Sequence, residues 1–212
     1  MKLVDLDIKS FIEKLESSSP TPGGGSASAL AVALGISLVL MVVNITAAKK
    51  KFKTLADDDR TEFLAAAGRL DALKEEALAL VDEDAAVYAE VLAAYRLPSE
   101  SAAEKAAREE SVAAATLKAA DAPFKTAKVA LSALRETQKI YPHAHKNAIS
   151  DLGVGVKLIG AGCSGAVMNV KINMKDFPDS RLAGEYLRAA EKLEEEARQA
   201  GEVILAFVSR NL

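Results

Sequence analysis

Apolar positions recur along this chain at spacings of three and four, and no long stretch alternates with period two, so the pattern predicts helices and no sheet. Ile8, Phe11, Ile12 and Leu15 share one face of a first helix over about residues 7–17. A second, over about 26–51, is apolar nearly all round, as expected of a helix buried in a bundle or subunit interface. After the polar break at Asp57, Asp58 and Asp59, a third helix carries Leu70, Leu73, Ala77, Leu80, Val81, Val87, Tyr88, Val91 and Tyr95 on one stripe. It stops before Pro98, because proline disfavours helix at the residue ahead of it. Ser101 and Glu104 have the spacing of a capping box and open a fourth helix, which Pro123 is expected to kink or divide before Tyr141 and Pro142 end it. Residues 147–170 are small and apolar. A last helix from about Asp179 turns Leu182, Tyr186, Leu193, Ala197, Ile204 and Phe207 inward. With no repeat and no linker, residues 1–212 read as a single-domain, all-α bundle of long antiparallel helices.

Composition sharpens this picture. Half the residues are hydrophobic but only 5% are aromatic, so alanine fills much of the core and the helices are expected to approach closely. A net charge of -3 and the lack of any basic patch interleaved with aromatics argue against a nucleic-acid partner. The single cysteine, Cys163, excludes an internal disulfide and suits a reducing compartment, with the cytoplasm as the expectation. Asp5 and Asp7 interrupt anything resembling an export signal. Residues 17–48 carry no charge and are long enough to cross a bilayer. Their Ser/Pro/Gly beginning, with Ser28, Gly35, Ser37, Asn44 and Thr46 further on, favours a buried helix over a membrane span.

Several clusters carry candidate chemistry. Gly23, Gly24, Gly25 and Ser26 follow a proline and open into the second helix, gathering free backbone amides that suit an anionic or electron-rich ligand; a sharp turn capped by Ser26 is the structural alternative. No Lys-Ser/Thr pair follows, so this is not a nucleotide P-loop. Gly160, Gly162 and Gly165 satisfy GxGxxG, but the chain offers no strands for a dinucleotide fold; five glycines from Gly153 to Gly165 instead imply a closely approaching backbone. Asp84 continues the apolar stripe of the third helix, where burial would raise its pKa into a useful range or a salt bridge to Arg96 or Arg108 would neutralise it. Asp82 points well away from that stripe. Asp151 follows Ser150, where both could cap the glycine-rich helix. His143 and His145 lack a third ligand for a metal, and Cys163 has no base nearby. Asn169 and Asn173 fall at i and i+4, projecting two amides from one face towards a heterocycle or towards partners inside the bundle.

In order, SPTPGGGSASA at 19–29, LVDEDAAVY at 80–88, AYRLP at 94–98, EKAAR at 104–108, SDLGV at 150–154 and NVKIN with Asp176 and Asp179 resemble the cyclodeaminase domain of formiminotransferase-cyclodeaminases and the related methenyltetrahydrofolate cyclohydrolases. The likeness runs over nearly the whole chain. It implies an all-α homodimer acting on a one-carbon tetrahydrofolate derivative without metal, nucleotide or other cofactor. The expected reaction is hydrolysis of 5,10-methenyltetrahydrofolate to 10-formyltetrahydrofolate. Ring closure of formimino-folate with loss of ammonia, or folate binding without chemistry, are the alternatives. Asp84 or Asp151 is the implied base, with Asp82 holding substrate or partner. Gly23, Gly24, Gly25 and Ser26 would supply amides, Asn169 and Asn173 would read the pterin edge, and Lys105 or Arg108 would hold the glutamate. Arg96, Ser150 and His145 complete the implied substrate contacts. Ala144 and His145 stand where family members commonly carry Gly-Asn.

Overall fold

The computed structural model describes residues 2–212, and six α-helices account for most of them. A short helix α1 (Ile8–Leu15) precedes five long ones: α2 (Gly24–Ala47), α3 (Asp57–Tyr95), α4 (Ala102–Ile140), α5 (Ile149–Met174) and α6 (Ser180–Asn211). No strand occurs among the described residues.

Helix ends follow local chemistry. Asp57, Asp58 and Asp59 lie inside the first turn of α3 rather than before it, where three carboxylates favour the positive end of the helix dipole. Ser101 and Glu104 form the expected capping box, and Asp179 caps α6 by accepting the Leu182 N–H. Pro123 does not divide α4, which runs unbroken through it. Lacking an N–H, Pro123 leaves the Ala119 carbonyl without its helical partner, and Asn173 of α5 donates its side-chain amide to that oxygen at 3.0 Å. A donor from a neighbouring helix thus offsets what proline removes.

The core is built where α2 and α5 run antiparallel at close range. A methyl group on Gly35 would come within 2.6 Å of the Gly155 carbonyl, and one on Gly162 within 2.6 Å of the Ser28 carbonyl. Glycine at these places lets two backbones touch. The expected close packing is therefore found, with α5 a single uninterrupted helix through the GxGxxG segment. Gly160 takes no part, since a methyl group there would meet no neighbouring helix within 4 Å. Val32, Ile36, Val39, Ile159, Val167 and Val170 fill the seam and are almost wholly buried. Both α2 and α5 are long and apolar enough to cross a membrane, but half of each apolar stretch is buried inside the bundle.

Two expected faces turn out differently. On α1 only Phe11 is buried, while Ile8 is 81% and Ile12 54% exposed, because this two-turn helix lies at the margin of the bundle. On α3 the stripe is core through Val81, but beyond Asp84 it leaves the core: Tyr88 and Tyr95 are exposed, and Val91 and Tyr95 form the wall of a cleft.

Candidate active site

The chain brings Asp84 to the beginning of α2. The Ser26 hydroxyl donates to Asp84 Oδ2 at 3.0 Å, and any side chain on Gly25 would overlap the Asp84 carboxylate. Gly24 lies next to Asn169, whose Nδ2 would be 3.1 Å from a methyl group there. Glycine is required at this turn for close approach: the carboxylate comes up against the helix where a β-carbon would stand. The amides expected to receive an anionic ligand therefore face the chain's own anion.

Asp84 is half-buried. Burial pushes its pKa above the ordinary aspartate value, while the Ser26 hydroxyl and backbone N–H favour the carboxylate and pull it back. No cation pairs with it among the described residues, so the expected salt bridge to Arg96 or Arg108 is not made. Arg108 instead donates to the Ser99 hydroxyl at 2.8 Å, and Arg96 is exposed beyond the end of α3. An uncompensated carboxylate in a partly dry setting can stabilise a cation or take a proton.

Asn169 and Asn173 lie alongside, with their amide nitrogens already engaged. Asn169 Nδ2 donates to the Gly165 carbonyl at 2.8 Å, and Asn173 Nδ2 to the carbonyls of Ala119 and Asn169. A carbonyl only accepts, so both side chains are oriented and each keeps its Oδ1 for an external donor. Next along α5 and α3 opens a cleft of about 910 Å³, lined by Val91, Tyr95 and Ser99, by Lys105, Arg108, Glu109 and Thr116 of α4, and by Ile172, Asn173, Asp176 and Phe177. It begins at Val91, about 10 Å along α3 from Asp84. Lys105 and Arg108 provide cations at its far side. Tyr95 and Ser99 escaped the sequence reading as cleft residues; the AYRLP motif was the signal that held Tyr95.

Other expected site residues lie elsewhere. Asp82 accepts a hydrogen bond from the Leu3 backbone N–H, tying down the N-terminal turn, so its carboxylate has a structural partner outside the Asp84 group. Ser150 and Asp151 lie in the first turn of α5, at the opposite end of the bundle from Asn169 and about 27 Å away along the helix. His145 is there too, its backbone N–H donating to Thr46 at 3.0 Å. Within one chain these three cannot share a small ligand with Asp84, because α2 and α5 are antiparallel. His143 packs edge-on against Phe63, and no group of metal-binding side chains gathers among the described residues. Cys163 is buried with its thiol pushed up to about 12 by desolvation, which suits a core residue and not a nucleophile.

Fold and site together define a helical bundle with a half-dry carboxylate at a helix start and a mixed-charge cleft beside it. The chain belongs to the formiminotransferase-cyclodeaminase family, whose model matches residues 7–192. It is 34% identical over 201 residues to the methenyltetrahydrofolate cyclohydrolase of Methylorubrum extorquens, covering 95% of each chain. It is 29% identical over 206 residues to the formimidoyltransferase-cyclodeaminase of Rattus norvegicus, covering 96% of this chain and 37% of that larger protein. A solved structure of formiminotetrahydrofolate cyclodeaminase from Thermotoga maritima superimposes with a TM-score of 0.79 over 97% of this chain and 98% of the other, at 24% identity, which shows the shared fold.

Proposed function

We propose that this protein is a cytoplasmic, homodimeric methenyltetrahydrofolate cyclohydrolase, using no cofactor. The observation that carries the chemistry is Asp84: an unpaired, partly desolvated carboxylate held by Ser26, next to amide oxygens that accept and a cleft with cations at its far side. The near full-length likeness to a cyclohydrolase supports the choice of substrate.

The substrate's amidinium ring is cationic, and a carboxylate with no internal counter-ion offers it a partner. Water adds to the bridging carbon while Asp84 accepts one of its protons, giving a neutral tetrahedral adduct. The adduct collapses as the bond from carbon to nitrogen 5 breaks: Asp84 returns its proton to nitrogen 5, and the hydroxyl proton is released to solvent. Oδ1 of Asn169 and of Asn173 accept from the N–H groups of the pterin, and Lys105 or Arg108 meets the glutamate carboxylates. Ser26 fixes the carboxylate's direction.

The family's second reaction, ring closure of formimino-folate with loss of ammonia, uses the same acid and base, and the likeness to formimidoyltransferase-cyclodeaminases keeps it as the alternative. One experiment separates them. Purified protein is given methenyltetrahydrofolate in one cuvette and formiminotetrahydrofolate in another, with near-UV absorbance and ammonia followed. Faster loss of methenyl absorbance than in buffer supports cyclohydrolase; ammonia release alone supports cyclodeaminase; buffer rates in both overturn the enzyme reading.

A further inference from the structure

Two arginines are half-buried, Arg60 and Arg108, and they are partnered differently. Arg60 donates to the Asp57 carboxylate at 2.7 Å, one turn away on α3. Arg108, in the wall of the cleft, meets no carboxylate among the described residues; its side-chain hydrogen bond runs from Nη1 to the Ser99 hydroxyl at 2.8 Å. Taking a guanidinium partly out of water without a counter-ion is costly, and a neutral hydroxyl leaves its charge in place.

The sequence offers Arg108 a partner that the fold diverts. Glu104 stands four residues earlier on α4, the spacing at which a glutamate ordinarily pairs with a following cation. It turns instead to the helix start, where its Oε2 accepts from the Glu100 N–H at 3.1 Å, the Ser101 N–H at 2.8 Å and the Ser101 hydroxyl at 3.0 Å. With Glu104 engaged at the cap, Arg108 reaches back over that turn to Ser99, since helical side chains lean towards the N-terminus. Glu109, Glu110 and Asp176 line the same cleft, all exposed, and none of them pairs with Arg108.

Lys105 has the same charge in a different state. It is exposed, makes no hydrogen bond among the described residues, and carries its ammonium on a freely rotating stem. A guanidinium is a planar fork with five N–H groups. Fixing one of them on Ser99 sets the plane and leaves the others for a planar acceptor, which a carboxylate matches with two parallel bonds.

Resting on the folate reading proposed above, we infer that Ser99 is a positioning residue: it holds Arg108 as the fixed grip on the ligand's glutamate carboxylate, and Glu104 keeps that grip open by serving the α4 cap. Lys105 adds charge without direction. Because Ser99 lies in the turn between α3 and α4, the bond also ties the grip to the join of two helices that wall the cleft.

The test compares 5,10-methenyltetrahydrofolate with 5,10-methenyltetrahydropteroate, which has the same rings and no glutamate. Ser99→Ala should raise KM for the folate about three- to tenfold with kcat kept, the size expected for one hydrogen bond, and leave KM for the pteroate where it was. Ser99→Thr restores the hydroxyl and should bring KM back to within about twofold of the parent. Arg108→Lys should raise the folate KM at least as far as Ser99→Ala, since a point charge lacks the fork. Adding Ser99→Ala to Arg108→Lys should then change nothing further, because the serine acts only through the guanidinium. An equal rise for folate and pteroate would mark a structural role for the turn and overturn the inference. An unchanged folate KM in Ser99→Ala, no rescue by Ser99→Thr, or additive losses in the double variant would overturn it too. If the parent turns over neither methenyl- nor formiminotetrahydrofolate, the proposed function fails on its own. The same variants are then compared by the Kd of 5-formyltetrahydrofolate and of 5-formyltetrahydropteroate: a rise confined to the folate supports the grip, and equal values for the two ligands, or binding of neither, overturn it.

Discussion

At one end of the α2/α5 pair a carboxylate lies partly buried with no cation to meet it; at the other, three lysines line a cavity with no carboxylate among them. One half-buried carboxylate and three exposed lysines, unpaired and held apart by antiparallel helices, are unlike the ion pairs that cover the rest of the surface. Arg198 with Glu195 and Glu202 is such a surface pair, exposed and screened, and contributes little. The contrast teaches where to expect function. Charge that the fold leaves unpaired is available to a ligand or a partner, and at Asp84 it is also partly desolvated.

The largest expected effect tests the acidic end. Asp84→Asn should lower methenyltetrahydrofolate turnover by about 10² to 10⁴-fold, the usual range for loss of a general base. Stability should hold or rise, since no cation is orphaned and the asparagine oxygen still accepts from Ser26. A variant with full turnover, or one that melts well below the parent, would break the assignment. Asp151→Asn in the same chain would then become the next carboxylate to test.

A pH series sharpens the same point. The folded Asp84 binds its proton more tightly than the unfolded chain does, because burial raises its pKa. Its contribution to stability therefore falls as pH rises from the ordinary aspartate value of about 3.9 through the raised one. The melting advantage of Asp84→Asn should be present at neutral pH and vanish in acid. Turnover by the parent should fall as pH drops through the raised value, and the remaining activity of the variant should lack that limb. Parallel melting curves for the two proteins at all pH values would contradict a desolvated Asp84.

A smaller effect concerns the asparagine beside the cleft. Asn173→Asp removes the donor that serves the carbonyl left free by Pro123, and should cost about 1–3 kcal/mol in denaturant unfolding. Restoring the helical bond with Pro123→Ala in the same chain should recover most of it. Additive losses from the two changes would show that the contact does not support α4. The smallest change lies midway between the ends: Gly160→Ala meets open space within a helix and should stabilise by about 0.5–1 kcal/mol, whereas Gly35→Ala, facing the Gly155 carbonyl, should destabilise.

Sequence alone determined what depends on neighbours along the chain. Helix spacing, the Ser101 and Glu104 cap, the stop before Pro98 and the absence of alternating segments decided that the protein is a helical bundle. Glycines at 155 and 162 announced close packing, and the stripe through Leu80 and Val81 singled out Asp84 among thirty acidic residues. Family motifs named the others. Tertiary structure decided which of these residues meet, because helical period says which face a side chain takes and nothing about what lies opposite. Only the antiparallel contact of α2 and α5 could show Asp84 against the glycines of one end and Asp151 and His145 left at the other. In the same way, the hydrogen bond from Asn173 to the carbonyl that Pro123 frees joins residues 54 apart, beyond the reach of any local pattern.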